Sequence, residues 1–261
     1  MQDCPTIRRM DDPRPGGPRT ALVTGISRGI GAAIAARLLG DGWLVHGTYR
    51  ERLDGAELLA DRFERLTIHQ VDLAADADVD DLVEKLGTAR LDGLVNNAGI
   101  IVFEDMDTFD LAAWRRTLDV NLTAPVRLAR ALEPNLRGGA VVNLASTDGN
   151  VGAYDSIAYS VSKAALLSAT KSLANLLARS EIRVNAVTPG WIATEMTTEV
   201  DAAVAMTPLH RVGRPEEVAA AVAWLLGGEA GFVTGTDLII DGGMGNVDYV
   251  TKLEAFGQDA S

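Results

Sequence analysis

The chain predicts an α/β fold: a doubly wound parallel sheet with helices on both faces. Three observations carry the expectation. Short apolar runs of strand length recur from Thr20 onward, segments of helical spacing separate them, and the runs are apolar on both faces. Strands apolar on both sides fit a parallel sheet covered above and below by helices, and right-handed crossovers then wind it in two directions.

Seven runs predict seven strands: ALVTG (21–25), WLVHGTY (43–49), LTIHQVD (66–72), LDGLVNNAG (91–99), AVVNLAS (140–146), IRVNAVTPG (182–190) and TDLIIDGG (236–243). After the first run, Ile30, Ile34, Leu38 and Leu39 recur at helical spacing. Leu166, Leu167, Leu173, Leu176 and Leu177 mark another helix, over about 156–179. The last helix has a legible start in GRPEEVAAAVAWLL, because Pro215 suits the first helical position while Glu216 and Glu217 favour the positive end of the dipole. Residues 1–19 carry four prolines, two glycines and mixed charge, a composition that predicts a disordered leader. Residues 20–261 then form one domain, with a tail from about 244 to which the pattern assigns no structure.

Composition narrows the classes of function. A hydrophobic fraction of 47% with 5% aromatics across 261 residues allows a large core. The net charge of −12 disfavours nucleic acid, whose binding needs clustered Lys and Arg against phosphates. The only cysteine, Cys4, supports neither a disulfide framework nor a CxxC metal site, as expected in a reducing cytoplasm. No run approaches the roughly 18 apolar residues that span a bilayer, so no membrane partner is expected and a cytoplasmic location is. His46, His69 and His210 are too scattered for a metal triad, and no metal is assigned.

Directly after the first strand comes Thr24-Gly25-Ile26-Ser27-Arg28-Gly29-Ile30-Gly31, opening a helix. Glycines permit a tight turn and close backbone approach, and a helix start offers unpaired N–H groups to a pyrophosphate. Strand before and helix after make this a dinucleotide cradle of Rossmann type, against the alternative of an ordinary connection. Arg28 stands at a helix start, where the macrodipole disfavours a cation by about 0.3–1 kcal/mol, and a nearby anion would explain it. Arg50 ends the second strand, where NAD enzymes usually place an acid, and it can meet the same 2′-phosphate. NADP(H) is therefore preferred, with NAD(H) as the second option; the competing reading leaves both arginines as solvated surface residues.

A second constellation lies in NLASTDGNVGAYDSIAYSVSK. Tyr159 and Lys163, four apart, share one helix face, and Ser146 enters from a strand end. A phenol is a poor acid–base at neutral pH, but an adjacent ammonium is expected to lower its pKa. Ser146 and Tyr159 can then meet charge that develops on a substrate oxygen. Asp148, Asn150, Val151 and Tyr154 are expected to shape a substrate pocket, with Trp191 either at its mouth or in ordinary packing and residues 194–212 as a covering segment.

These residues resemble the classical short-chain dehydrogenase/reductase family over roughly 19–245. Five motifs carry the resemblance, in the family's order: TGISRGIG (24–31), NNAG (96–99), the Asn of DVNLTAP (Asn121), Ser146 with YSVSK (159–163), and PGWIAT (189–194). It implies catalysis by Asn121, Ser146, Tyr159 and Lys163, with Asn121 holding a water linked to Lys163, and Lys163 on the nicotinamide ribose. It also implies cofactor contacts at Gly25, Ser27, Ile30, Asp72 and Leu73 near the adenine, at Asn97, Ala98 and Gly99, and at Pro189, Gly190, Ile192 and Thr194 near the carboxamide. It further implies transfer of the pro-S hydride and a homotetramer or homodimer joined through the helices of Asn121 and Tyr159 and through the last helix and strand.

Within the family the chain is similar to 3-oxoacyl-acyl-carrier-protein reductases and related ketoreductases. Ser172-Leu173-Ala174-Asn175 replaces their SLAR, and the basic run before the fifth strand is reduced to Arg137. An acidic enzyme also lacks the field that attracts an acidic carrier. A small free ketone or alcohol is the expected substrate; a carrier-bound or polyketide substrate is the alternative, and a catalytically silent cofactor sensor is the alternative of another class. Tyr154 has no Lys six or seven positions later, which disfavours enoyl reduction.

Overall fold

The computed structural model describes residues 17–103, 107–195, 197, 200–248 and 251. Most of the leader and most of the tail expected from the sequence lie outside the described residues.

Among the described residues seven strands form one sheet in the order β3-β2-β1-β4-β5-β6-β7. They are β1 (Thr20–Val23), β2 (Leu44–Tyr49), β3 (Leu66–Gln70), β4 (Gly93–Asn96), β5 (Ala140–Leu144), β6 (Arg183–Pro189) and β7 (Asp237–Ile240). Every neighbouring pair is parallel. The helices are α1 (Gly29–Gly40), α2 (Leu53–Arg62), α3 (Asp76–Leu86), α4 (Leu111–Leu118), α5 (Ala124–Ala131), α6 (Ile157–Leu177), α7 (Val200–Met206) and α8 (Pro215–Leu226).

The alternation of side chains along a strand divides the core in two. Ala21 and Val23 of β1 join a cluster with Ile34, Leu38, Val222 and Leu225, under α1 and α8. Leu22 joins the opposite cluster with Leu94, Leu128, Leu136, Leu173 and Leu177, under α5 and α6. Both faces are thus buried, as runs without polar alternation require. Between the layers runs a polar chain: Asn96 Nδ2 donates to Asn143 Oδ1 (2.8 Å), and Asn143 Nδ2 to Thr170 Oγ1 (2.9 Å). It ties β4 to β5 and β5 to α6.

Strands end earlier than the apolar runs suggest, for local reasons. β4 stops at Asn96 because the N–H groups of Asn97 and Ala98 turn to Thr24 Oγ1, each at 3.0 Å, rather than to a neighbouring strand. β3 stops at Gln70, and the N–H of Asp72 donates to Asp78 Oδ2 at 2.9 Å. β7 stops at Ile240, where Gly242 and Gly243 turn at φ 64 and 91 and Asp241 Oδ1 accepts the Gly243 N–H at 2.8 Å. At α8, Pro215 occupies the expected first position, and Glu217 Oε2 accepts the Arg214 N–H at 2.8 Å.

His46 and His69 face each other across β2 and β3, with Nδ1 and Nε2 3.1 Å apart. Burial lowers both pKa values, and at His69 the neighbouring His46 lowers it further. Among the described residues no three His, Cys, Asp or Glu side chains converge as metal ligands, and no helix is long and apolar enough to cross a membrane.

Candidate active site

A cleft opens at the carboxyl ends of the strands, across the point where β1 meets β4 and the winding reverses. The β1–α1 turn supplies Gly25, Ser27, Arg28, Gly29, Ile30 and Gly31. Arg50, Glu51 and Arg52 follow β2, Asp72 and Leu73 follow β3, and Asn97, Ala98 and Gly99 follow β4. Tyr159 and Lys163 line it from α6, with Pro189, Thr194 and Glu195 beyond β6.

The turn is held by contacts that only glycine permits. A Cβ on Gly31 would lie 2.0 Å from the Gly25 carbonyl oxygen and 2.4 Å from Asn97 Nδ2. Asn97 Nδ2 donates to the carbonyls of Thr24 (2.9 Å) and Gly25 (3.0 Å), fixing the turn to the end of β4. No side chain caps the start of α1. A narrow glycine cradle against uncapped helix N–H groups fits a dinucleotide pyrophosphate.

Charge gathers at the end of the cleft formed by the β1–α1 turn and the residues after β2. Arg28 Nη1 and Arg52 Nη1 both reach Glu195 Oε2, at 2.6 and 2.8 Å, while Arg50 pairs with Glu51 at 2.8 Å. The anion that Arg28 calls for at a helix start is therefore supplied here by Glu195. Asp72 lines the wall but is engaged, accepting from Arg116 Nη2 at 2.9 and 3.1 Å. Its burial alone would raise its pKa, but the Arg116 and Ala74 hydrogen bonds outweigh that and hold it below the usual value.

At the other end Tyr159 and Lys163 meet as their spacing predicts, with Lys163 Nζ 5.5 Å from the Tyr159 ring centre. Ser146, two residues beyond β5, accepts the Asp148 N–H at 3.2 Å and stands beside the phenol. The expected lowering of the Tyr159 pKa is not found and is corrected. Burial pushes the phenol up to about 12, with Asp148 adding to the rise and only Ser146 opposing it. Lys163 does not offset this because its ammonium donates to the Leu144 carbonyl at 2.7 Å and is itself pushed down to about 8 by complete burial.

Asn121 lies fully buried in a π-turn, Asp119–Thr123, that joins α4 to α5. Such turns recur at functional sites because the extra residue re-aims a side chain. Here the Asn121 amide accepts the Ile100 N–H (2.9 Å) and donates to the Ile100 carbonyl (2.9 Å) and to Ser162 Oγ (3.0 Å). Ser162 in turn donates to the Tyr159 carbonyl at 2.6 Å, so the turn and the start of α6 form one unit.

Asn121, Ser146, Gly190 and Ile192 stand behind or beside the cleft rather than in its lining. Ile192 is buried and pairs in a short bridge with Gly213. The five residues expected at a substrate pocket do not converge on the cleft: Tyr154 is 91% exposed, Val151 is 61% exposed, Asn150 is exposed, Trp191 is 37% exposed, and of the five Asp148 is the one held near Tyr159. The segment 147–155 follows a single 3-10 turn and then open loop, so its place in the sequence between Ser146 and Tyr159 did not translate into enclosure. Sequence reading missed Arg52, Glu195 and Ser162. Arg52 lies two residues beyond Arg50 and Glu195 directly after Thr194, and those neighbours were the available signal.

Comparison with known proteins agrees with this geometry. Residues 25–245 match the family described as enoyl-(acyl carrier protein) reductase. The chain is 35% identical over 239 residues to a 3-oxoacyl-[acyl-carrier-protein] reductase of Synechocystis, covering 87% of this chain and 96% of that one. It is 35% identical over 256 residues to glucose 1-dehydrogenase 2 of Bacillus subtilis, covering 90% and 97%. A short-chain dehydrogenase from Burkholderia cenocepacia, solved in complex with NADP, superposes with a TM-score of 0.83 at 36% identity, covering 88% of this chain and 98% of that one. The chain belongs to the classical short-chain dehydrogenase/reductase family. It is an NAD(P)-dependent oxidoreductase.

Proposed function

We propose that this protein interconverts a ketone and a secondary alcohol on a small free molecule, with NADP(H) as cofactor and Tyr159 as the proton-transfer group. The observation that carries the reading is the meeting of Tyr159 and Lys163 at one end of a cleft, with Ser146 beside the phenol, while the other end holds the glycine cradle and the arginines. Gly25, Gly29 and Gly31 would admit the pyrophosphate, Arg28, Arg50 and Arg52 the 2′-phosphate, and Pro189, Ile192 and Thr194 the nicotinamide end. The nicotinamide supplies or takes up the hydride.

Tyr159 gives its proton to the carbonyl oxygen in reduction and takes it back in oxidation, while Ser146 donates a second hydrogen bond to that oxygen. A phenol held near 12 stays protonated until charge develops on the oxygen, and Lys163 would hold the nicotinamide ribose beside it. Asn121 acts through the π-turn, positioning the Ser162–Tyr159 segment and the Gly99–Ile100 wall.

Neither Asn175 nor Arg137 provides the basic surface an acidic carrier needs, which supports a free substrate over the thioester that the Synechocystis relative is named for. Exposed Leu111, Ile157 and Val161 on α4 and α6, and Trp224 and Ile239 on α8 and β7, support the expected dimer or tetramer. Sizing chromatography tests that assembly.

The test of function follows NADPH oxidation by purified protein with a panel of free ketones and a 3-oxoacyl thioester. Turnover of a free ketone is expected, and Tyr159→Phe is expected to lower it by about 10²–10⁴ with NADPH binding kept. Turnover of the thioester alone would overturn the substrate claim, and a Tyr159→Phe enzyme of full activity would overturn the role of the phenol.

A further inference from the structure

Glu195 occupies the two arginines that the cofactor reading assigns to an anion. Its Oε2 receives Arg28 from the cradle and Arg52 from the β2–α2 connection, so one oxygen bridges the two. The carboxylate is carried by the segment after β6, the same segment expected to cover the substrate. Thr194, its neighbour, presses on the cradle, with its Cγ2 3.3 Å from where a Cβ of Gly29 would stand. The Arg28 bond is the leading cause that holds the Glu195 carboxyl below its ordinary pKa, so it stays ionised at neutral pH.

We propose that Glu195 is an internal stand-in for the cofactor's 2′-phosphate: a latch across Arg28 and Arg52 that is displaced when that phosphate takes them. The proposal rests on the NADP(H) reading of these arginines and adds to it a competition. A 2′-phosphate carries more charge than a carboxylate and more acceptor oxygens, so it wins the guanidinium pair. The free 2′-hydroxyl of NAD(H) cannot, and leaves the latch shut. The competition costs the 2′-phosphate part of its binding energy and leaves NAD(H) binding unchanged, so Glu195 narrows the gap in affinity between the two cofactors. All three side chains are about half exposed, with relative areas of 45%, 57% and 56%, so the latch is weak, reversible and sensitive to salt.

Calorimetric titration with 2′,5′-ADP and 5′-AMP separates the phosphate from the rest of the nucleotide. Removing the competitor in Glu195→Gln is expected to tighten 2′,5′-ADP about twofold to tenfold, with 5′-AMP changed by less than twofold. The gain is expected to fade as salt is raised. Unchanged or weakened 2′,5′-ADP binding in Glu195→Gln would overturn the latch, and weakened 5′-AMP binding would make Glu195 a ribose acceptor instead. Arg52→Ala and Arg28→Ala test the underlying reading separately. If neither changes the ratio of 2′,5′-ADP to 5′-AMP affinity, the arginines do not hold the phosphate and the cofactor reading fails, whatever Glu195 does.

Discussion

Lys163 is an ammonium enclosed by protein, and that enclosure has a pH signature. The unfolded chain holds the Lys163 proton up to about 10.5, whereas the folded chain releases it near 8. Between those values the unfolded state binds more protons, so stability rises with pH across that window, and the cost is fully present below about 8. Lys163→Met is therefore expected to raise the unfolding free energy of cofactor-free protein at pH 7 by about 2–3 kcal/mol. The advantage should shrink toward pH 10.5; urea melts across that range check it, and equal stabilities at pH 7 would refute it. Gly31→Ala is expected to act oppositely, because its Cβ would meet backbone 2.0 Å away. A loss of about 1–3 kcal/mol and weakened NADPH binding are expected in urea melts and titration. Glycine and the Tyr-x-x-x-Lys spacing were readable because each acts over a few residues of chain. The Glu195 pairs were not, since 167 and 143 residues separate the partners and a surface charge leaves no periodic trace. Nor was the rise in the Tyr159 pKa readable, because burial is a property of everything packed around the phenol.

The elements were legible to within a few residues wherever apolar periodicity and caps spoke together. α8 shows this best, with Pro215 and Glu217 where the sequence puts them. The ends of β3, β4 and β7 were misjudged because side chains of Asp78, Thr24 and Asp241 claim backbone groups that the apolar run alone would give to a neighbour. The π-turn between α4 and α5 had no signal in composition, since it is one residue of excess in an otherwise helical stretch. α4, which sets the entry to that turn, is anchored by Asp110, whose Oδ1 accepts the N–H groups of Ala112 (2.8 Å) and Ala113 (3.0 Å). Asp110→Ala is expected to cost about 0.5–2 kcal/mol. A urea melt with unchanged midpoint would show that packing alone holds the helix.

Across the whole molecule, the cradle and the proton-transfer group sit on opposite halves of one sheet, so a cofactor that touches both braces the two halves together. Thermal scans are expected to show NADPH raising the melting temperature more than NADH at equal concentration. At a hundred times its dissociation constant NADPH should add about 2.7 kcal/mol, and an equal or larger shift with NADH would count against the 2′-phosphate reading. The strand order carries a different consequence, for synthesis. β1 lies between β2 and β4, with Ala21 opposite both Val45 and Gly93. A ribosome adding about 5–20 residues per second delivers the second partner several seconds after the first. Through that interval β1, an interior strand of the finished sheet, is an open edge on a nascent chain, and it is there, rather than in the completed enzyme, that this architecture is most exposed to mispairing and most dependent on chaperones.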